Sequence, residues 1–213
     1  MPEANSRNSS FGQHFARVGP RMDARGAAAH RQRLVEAAYG DVVEIGAGYG
    51  ATFSFYPSAV TRVLALEPDP TLRALALADA IKAPVPITVH DGMAETLPAA
   101  DESVDVVVSS LVLCSVTDQS AVLAEVQRVL RPGGLLLFYE HVRSAHRVLA
   151  TAEDLITPLW SRLAGGCHPN RDTETGIAAA GFTLLRVERF GFSALPGNPR
   201  VAHILGAAEK ARA

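Results

Sequence analysis

Val42-Val43-Glu44-Ile45-Gly46-Ala47-Gly48-Tyr49-Gly50 decides the fold. An apolar run feeds directly into a glycine loop, the pattern of a strand turning into a backbone surface that a nucleotide-like ligand can approach. Glycine is needed there because the turn demands positive φ and because a β-carbon would stand where the ligand packs. Glu44, two residues before the first glycine, narrows the choice of ligand. A carboxylate at that point holds an ammonium group and repels a pyrophosphate.

Outward from this loop the chain alternates strands and helices. Strands are expected over 41–45, 61–66, 85–90, 104–109 and 135–139, with helices over 72–80 and 120–130 between them. The run Val106-Val107-Val108 is apolar on both faces, as a central parallel strand must be. Arg131-Pro132-Gly133-Gly134 reads as a stop between helix and strand. This alternation argues a doubly wound parallel sheet with right-handed crossovers. Upstream, residues 1–10 are expected to be disordered, and 11–38 to be helical with a break at Gly19-Pro20. Past His146 a helix over about 145–163, a glycine-bearing loop at 164–169 and a short helix to Ala180 precede two strands. Those strands, over 182–190 and roughly 201–207, suit a closing antiparallel hairpin. One domain over 11–213 is expected, with 11–38 as an N-terminal helical lid and 144–180 as a cap on the acceptor side.

Composition removes several classes of function. The 213 residues carry 20 Lys+Arg against 22 Asp+Glu, a net charge of −2, so no nucleic-acid partner is indicated. Arg17, Arg21, Arg25, Arg31 and Arg33 cluster, but among alanines they read as a solvated helix face. The longest apolar run, 135–139, is far too short to span a bilayer, and the N-terminus lacks a signal-like apolar segment, so no membrane association is expected. Two cysteines, Cys114 and Cys167, argue for a reducing, cytoplasmic setting rather than a disulfide framework. Cys167-His168 is a lone pair, and His141 and His146 lie five apart, so no metal site is expected. Abundant alanine and arginine suit a bacterial, GC-rich source, and a monomer or homodimer is expected.

Gly46, Gly48 and Ala51 also satisfy a G-x-G-x-x-A dinucleotide pattern, which Glu67 does not discriminate against. Three features favour S-adenosylmethionine over a nicotinamide cofactor. Glu44 suits a cationic ligand end; Asp91-Gly92-Met93-Ala94 offers a carboxylate and an apolar surface beside an adenine; and no second domain brings a hydride acceptor.

In this order the residues resemble the class I S-adenosylmethionine-dependent methyltransferases. Glu44-x-Gly46-x-Gly48-x-Gly50, Glu67, Asp91-Gly92, the Asp105-Val106-Val107-Val108 strand and Arg131-Pro132-Gly133-Gly134 look like that superfamily's five successive motifs. The segments Phe53–Pro57, Leu111–Val116, Tyr139-Glu140-His141-Val142, Gly166-Cys167 with Arg171, and His203-Ile204-Leu205-Gly206 are similar to the thiol S-methyltransferases of the methyltransferase-like seven group. Two departures stand out: an arginine-rich helix replaces that group's apolar N-terminal anchor, and Tyr139 replaces its Trp or Met before Glu-His.

The resemblance implies a Rossmann-like, seven-stranded, mostly parallel sheet of order 3-2-1-4-5-7-6 with strand 7 antiparallel. It implies methyl transfer from S-adenosylmethionine to a small molecule, most simply a thiol, leaving S-adenosylhomocysteine. O-, N- or C-methylation in a secondary-metabolite pathway, and a non-catalytic binding module, remain open alternatives. Strand-end residues are expected to line the cofactor: Glu44, Gly46, Ala47, Gly48, Gly50, Glu67, Pro68, Asp91, Gly92, Met93, Ala94, Ser109 and Leu111. His141, ending the fifth strand, is the candidate base or substrate-orienting residue, although capping the next helix would also explain it. Phe11, Phe15, Cys114, Trp160, Cys167, His168 and Arg171 are the remaining acceptor-side candidates, although taken singly each is more simply explained by a structural role.

Overall fold

Valine-rich strands build the centre of the protein, and their alternation divides its core in two. The computed structural model describes residues 4–194, 196–197 and 199–212. Strands β1 (Gly40–Ile45), β2 (Val60–Leu66), β3 (Ile87–His90), β4 (Val104–Ser110) and β5 (Leu130–His141) pair in parallel, with β4 beside both β1 and β5. Strands β6 (Phe182–Phe192) and β7 (Val201–Lys210) form the closing hairpin, and β7 runs antiparallel to β5. The resulting order is β3-β2-β1-β4-β5-β7-β6, as the resemblance implies.

Successive side chains of a strand point to opposite faces, so Val42 and Val43 enter different clusters. Val43, Ile45, Val107, Leu136 and Phe138 pack with Val122 and Val126 of helix α4 (Gln119–Val129) and Ile177 of α6 (Thr173–Ala179). Val42, Val106, Val108, Leu137 and Tyr139 pack on the other face with Leu34 and Val35 of α2 (Ala28–Val35) and Ala76 of α3 (Pro70–Ala80). The central strands β1, β4 and β5 are therefore buried on both sides, which explains their near-continuous apolar runs, while β3 and β6 at the edges are partly exposed. Helix starts follow their local chemistry. Asp69 accepts from the Thr71 and Leu72 N–H groups ahead of Pro70, and Asp118 accepts from the Ala121 N–H.

Three expectations need correction. Helix α1 begins at Ala4 and runs to Met22, so residues 4–10 are helical rather than disordered; residues 1–3 lie outside the described residues. Gly19-Pro20 does not break that helix. A β-carbon on Gly19 would fall on the Tyr49 ring, so the glycine serves a close approach, and the kink moves to Gly26 at φ 121°. Finally, β5 starts at Leu130, not after the Pro-Gly-Gly turn. The chain passes straight from α4 into the sheet and carries 131–134 as an irregularity between the Val104–Leu130 and Val106–Leu135 pairings. The last long helix, α5 (Arg147–Leu163), leads into the loop that reaches back over the sheet end. Among the described residues no helix is long and apolar enough to cross a membrane.

Strand order reverses between β1 and β4, and crevices for ligands form outside the carboxyl ends of such strands. Glu44, Ser110 and His141 all stand at that end.

Candidate active site

After Ile45 the chain turns through Gly46, Gly48 and Gly50 at φ 58°, 59° and 87°. Two of these glycines answer different demands. A β-carbon at Gly46 would lie 2.5 Å from Val112 Cγ2, so the loop after β4 packs against it. At Gly48 the nearest atom would be Phe15 Cε1 at 3.7 Å, which leaves the loop surface open to a ligand. Glu67, at the end of β2, pins the turn. Its Oε2 accepts from the Gly48 N–H at 2.7 Å and its Oε1 from the Asp69 N–H at 2.8 Å. Burial pushes its carboxyl above the usual range, against the pull of those two bonds. Each oxygen keeps a second lone pair with which it could accept a further donor. Glu67→Ala is therefore expected to weaken S-adenosylhomocysteine binding by about 1–3 kcal/mol, measured by calorimetry; unchanged affinity would separate Glu67 from the ligand.

Between this loop and the N-terminal helices lies a cavity lined by Phe15, Arg31, Glu44, Gly46, Gly48 and Ser110. Glu44 is 1% exposed and accepts from Thr52 Oγ1 and, at 2.8 Å, from the Tyr56 hydroxyl. Burial pushes its carboxyl up to about 7, and the two hydroxyl donors only partly offset this. Arg31 is ion-paired with Asp23, which also accepts from the Tyr49 hydroxyl. Ser110 Oγ is buried with no hydrogen-bond partner among the described residues. One cavity thus presents an acid, a guanidinium and an unpartnered hydroxyl. That set complements the zwitterionic aminoacyl end of S-adenosylmethionine, and the residues present fit this cofactor.

The expected cofactor residues divide. Glu44, Gly46, Ala47 and Gly48 share the cavity with Phe15, and Glu67 and Gly50 support its loop. Asp91 and Met93 are largely exposed at the end of β3, Asp91 paired with Arg73 at 3.2 Å, while Ala94 packs into the core. The Pro68 carbonyl accepts from Arg73. Ser109 does not face the cavity: its hydroxyl donates to Glu140 at 2.6 Å, and its neighbour Ser110 lines the cavity instead. Leu111 turns the chain with φ 62°, its N–H bonded to the Tyr139 carbonyl at 2.7 Å.

Sequence reading missed Arg31, Ser110 and Glu140. Arg31 was indistinguishable from its exposed neighbours, although Asp23, eight residues earlier, is the partner that buries it. Glu140 is fully buried and gathers the loop after β4, accepting from Ser109 Oγ and from the Val112 and Cys114 N–H groups, each of these two at 3.1 Å.

Among the residues expected on the acceptor side, Phe11 stacks on Phe15 at 5.6 Å, and a β-carbon at Gly165 would strike the Phe11 ring, so α1 meets the loop after α5. Arg171 clamps backbone, donating to the Leu113 and Val116 carbonyls at 2.7 and 2.9 Å. The His168 N–H donates to the Cys114 carbonyl at 2.8 Å. Trp160 is 41% exposed beside Cys167. These bonds bring Cys114, His141 and Cys167 together: His141 Nδ1 lies 3.3 Å from Cys167 Sγ and 3.6 Å from Cys114 Sγ, and the sulfurs are 3.8 Å apart. Three residues from separate segments thus converge with all donor atoms within 4.8 Å, a grouping that no linear spacing in the sequence points to. The contact between the thiols splits them, pulling Cys167 down and pushing Cys114 up, with His141 adding to the first effect. Burial opposes charging of His141, but Cys167 beside it prevails and raises its pKa. The His203 ring packs 4.4 Å from His141, and burial first of all holds it far below the usual range, at about 3, so it stays neutral.

Residues 43–138 match a family described as a methyltransferase domain. Thiol S-methyltransferase TMT1B of Rattus norvegicus is 37% identical over 177 residues, covering 79% of this chain and 70% of that protein. Thiol S-methyltransferase TMT1A of Homo sapiens is 34% identical over 154 residues, covering 69% and 62%. Among solved structures, an S-adenosylmethionine dependent methyltransferase from Mesorhizobium loti shares the fold with a TM-score of 0.63 at 20% identity, over 89% of this chain and all of that one.

Proposed function

This chain belongs to the class I S-adenosylmethionine-dependent methyltransferase family, and we propose that within it the protein methylates the sulfur of a small thiol. The observation that carries this reading is the 37% identity to a thiol S-methyltransferase across 70% of that protein's length, well beyond the cofactor-binding half of the fold.

When bound, S-adenosylmethionine supplies an electrophilic methyl on a sulfonium, whose C–S electron pair leaves with S-adenosylhomocysteine. Glu44 and Arg31 orient the aminoacyl end, with Ser110 Oγ completing its hydrogen bonds, and Gly48 lets the backbone come close. Glu67 holds the loop and takes the ribose hydroxyls. Asp91 and Met93 border the adenine. Helices α1 and α2 form a lid, and the segment 144–180 forms a cap, so that Phe11, Phe15 and Trp160 exclude water from the transfer path. Orientation and water exclusion are what such a displacement needs from a protein. A thiol's free pKa is about 8.5, so a dedicated strong base is unnecessary. His141 Nδ1 serves to orient the acceptor or to take its proton. Both cysteines are free, which supports a reducing, cytoplasmic setting, and the alanine- and arginine-rich composition supports a bacterial source.

The test is a panel of small thiols, phenols and amines incubated with isotopically labelled S-adenosylmethionine. Label is expected in thioethers, with phenols and amines slower by at least about a hundredfold because their nucleophilic forms are scarcer near neutral pH. Label passing to oxygen, nitrogen or carbon acceptors while thiols stay inert would sink the thiol assignment.

A further inference from the structure

The three contacts of the Cys114–His141–Cys167 triangle lie within hydrogen-bonding range for sulfur, and they also have the dimensions of a metal-ligand set. Zinc held tetrahedrally with Zn–S of about 2.3 Å and Zn–N of about 2.0–2.1 Å sets its sulfur ligands about 3.8 Å apart and its sulfur and nitrogen ligands about 3.5–3.6 Å apart. The three observed separations are 3.8, 3.6 and 3.3 Å. The donors therefore already outline one face of a tetrahedron.

That face is fixed by its surroundings. Glu140 holds the Cys114 N–H, Arg171 holds the carbonyls of Leu113 and Val116, and the His168 N–H holds the Cys114 carbonyl. Gly166, at φ 87°, lets the Cys167 loop sit on the Ser115 carbonyl, which a β-carbon would meet at 2.7 Å. Both cysteines are buried, whereas His141 is only partly buried, so the group opens on one side. It stands at the same sheet end as the aminoacyl cavity: Ser110 ends β4 four residues before Cys114, and His141 ends β5.

We propose that Cys114, His141 and Cys167 bind one Zn²⁺ ion through three protein ligands, leaving a fourth position that takes the acceptor thiol as its thiolate. Two thiolates and one imidazole with an open position form the ligand set of a zinc centre that binds a further group. The use of the fourth position rests on the thiol reading above; the metal site itself does not. On ligation the thiol gives its proton to the buffer, and His141, its Nδ1 committed to the metal, orients the acceptor rather than taking its proton. Its sulfur then forms the new C–S bond while the electron pair of the broken sulfonium bond leaves with the donor's sulfur. The neutral thioether is a poorer ligand than a thiolate and departs. This arrangement explains why two buried cysteines flank the strand-end histidine, which an unaided thiol acceptor would not need.

The experiment is a Co²⁺ titration of the full chain after reduction and chelator treatment, with S-adenosylhomocysteine binding measured in parallel by calorimetry. One equivalent of Co²⁺ is expected to give the thiolate-to-cobalt charge-transfer band and the intense visible bands of a tetrahedral centre. Adding a small thiol is expected to shift those bands. In the Cys114→Ser/Cys167→Ser double variant Co²⁺ affinity is expected to fall more than about a hundredfold, beyond the loss typical of disturbing an outer-shell partner, with S-adenosylhomocysteine still bound. His141→Ala, which removes a partly exposed ring, repeats the test should the double variant not fold. Absence of the bands from protein that binds S-adenosylhomocysteine, or their persistence in the double variant, would overturn the metal site and leave the methyltransferase reading standing. Bands unmoved by any thiol would overturn the fourth-position role. Failure of the wild-type chain to bind S-adenosylhomocysteine would count against the cofactor reading whatever the metal does. A Cys114–Cys167 disulfide persisting through reduction, with no metal uptake, would likewise overturn the zinc site.

Discussion

Replacing Glu140 with alanine is expected to lower the unfolding free energy by about 3–5 kcal/mol, to be read as a fall in the urea midpoint at nearly constant slope. The carboxylate is wholly buried, and burial raises its pKa, so at first sight its removal should relieve a cost. The donors decide otherwise. The Ser109 hydroxyl and the Val112 and Cys114 N–H groups all point into the space the side chain fills. The two N–H groups belong to the backbone and cannot be mutated away, so each is left buried and unpaired. Glutamine restores only part of the loss, since its amide presents a donor where the carboxylate presented a second acceptor. A change below about 1 kcal/mol in the alanine variant would mean that this loop is held by something else.

Glu44→Gln should reduce S-adenosylhomocysteine affinity about a hundredfold at pH 8, the cost of removing the charged partner of a buried ammonium. Its pH dependence carries the sharper test. Burial raises the folded-state pKa of Glu44 from 4.5 to about 7, so between these values the folded protein holds a proton that the unfolded chain has lost. Stability of the ligand-free protein from this group is therefore greatest below pH 4.5 and falls as pH rises towards 7, by roughly 3 kcal/mol. Glutamine, whose amide oxygen accepts from one hydroxyl while its NH2 donates to the other once that hydroxyl turns, removes that slope. Ligand binding runs the other way. A ligand ammonium needs the ionised acid, so wild-type affinity drops about tenfold per pH unit below 7, while the variant's does not. Calorimetry across pH 5.5–8.5 in buffers of different ionisation enthalpy reads both the affinity and the released proton. Parallel pH profiles for the two proteins would remove Glu44 from the ammonium.

Local chemistry made most of this legible beforehand. The glycine loop, the valine strands and the Asp69-Pro70 helix start each state their conformation within a few residues, and the alternation of elements carries the sheet. What stayed hidden depends on distant partners. Gly19-Pro20 has the composition of a helix break, yet the helix runs through it, and the glycine is needed because the Tyr49 ring occupies the space of a β-carbon. Arg31 resembles four other arginines until Asp23 and the kink at Gly26 turn it inward. The sulfur and imidazole triangle spans separations of 26, 27 and 53 residues, which no linear ligand pattern covers. Ser109 and Ser110 illustrate the remaining limit, since a single residue's rotation of the strand decides which one meets a ligand.

The place of β7 between β5 and β6 bears on how the protein is made. During synthesis β5 emerges with its neighbour β4 already available, but its other edge stays open until Val201–Lys210 has been made. That waiting edge belongs to Leu135-Leu136-Leu137-Phe138-Tyr139, an uncharged strand that invites pairing with other chains. A nascent or truncated chain ending before Val201 is thus a template for aggregation, and soluble expression depends on the final hairpin arriving promptly to close the sheet.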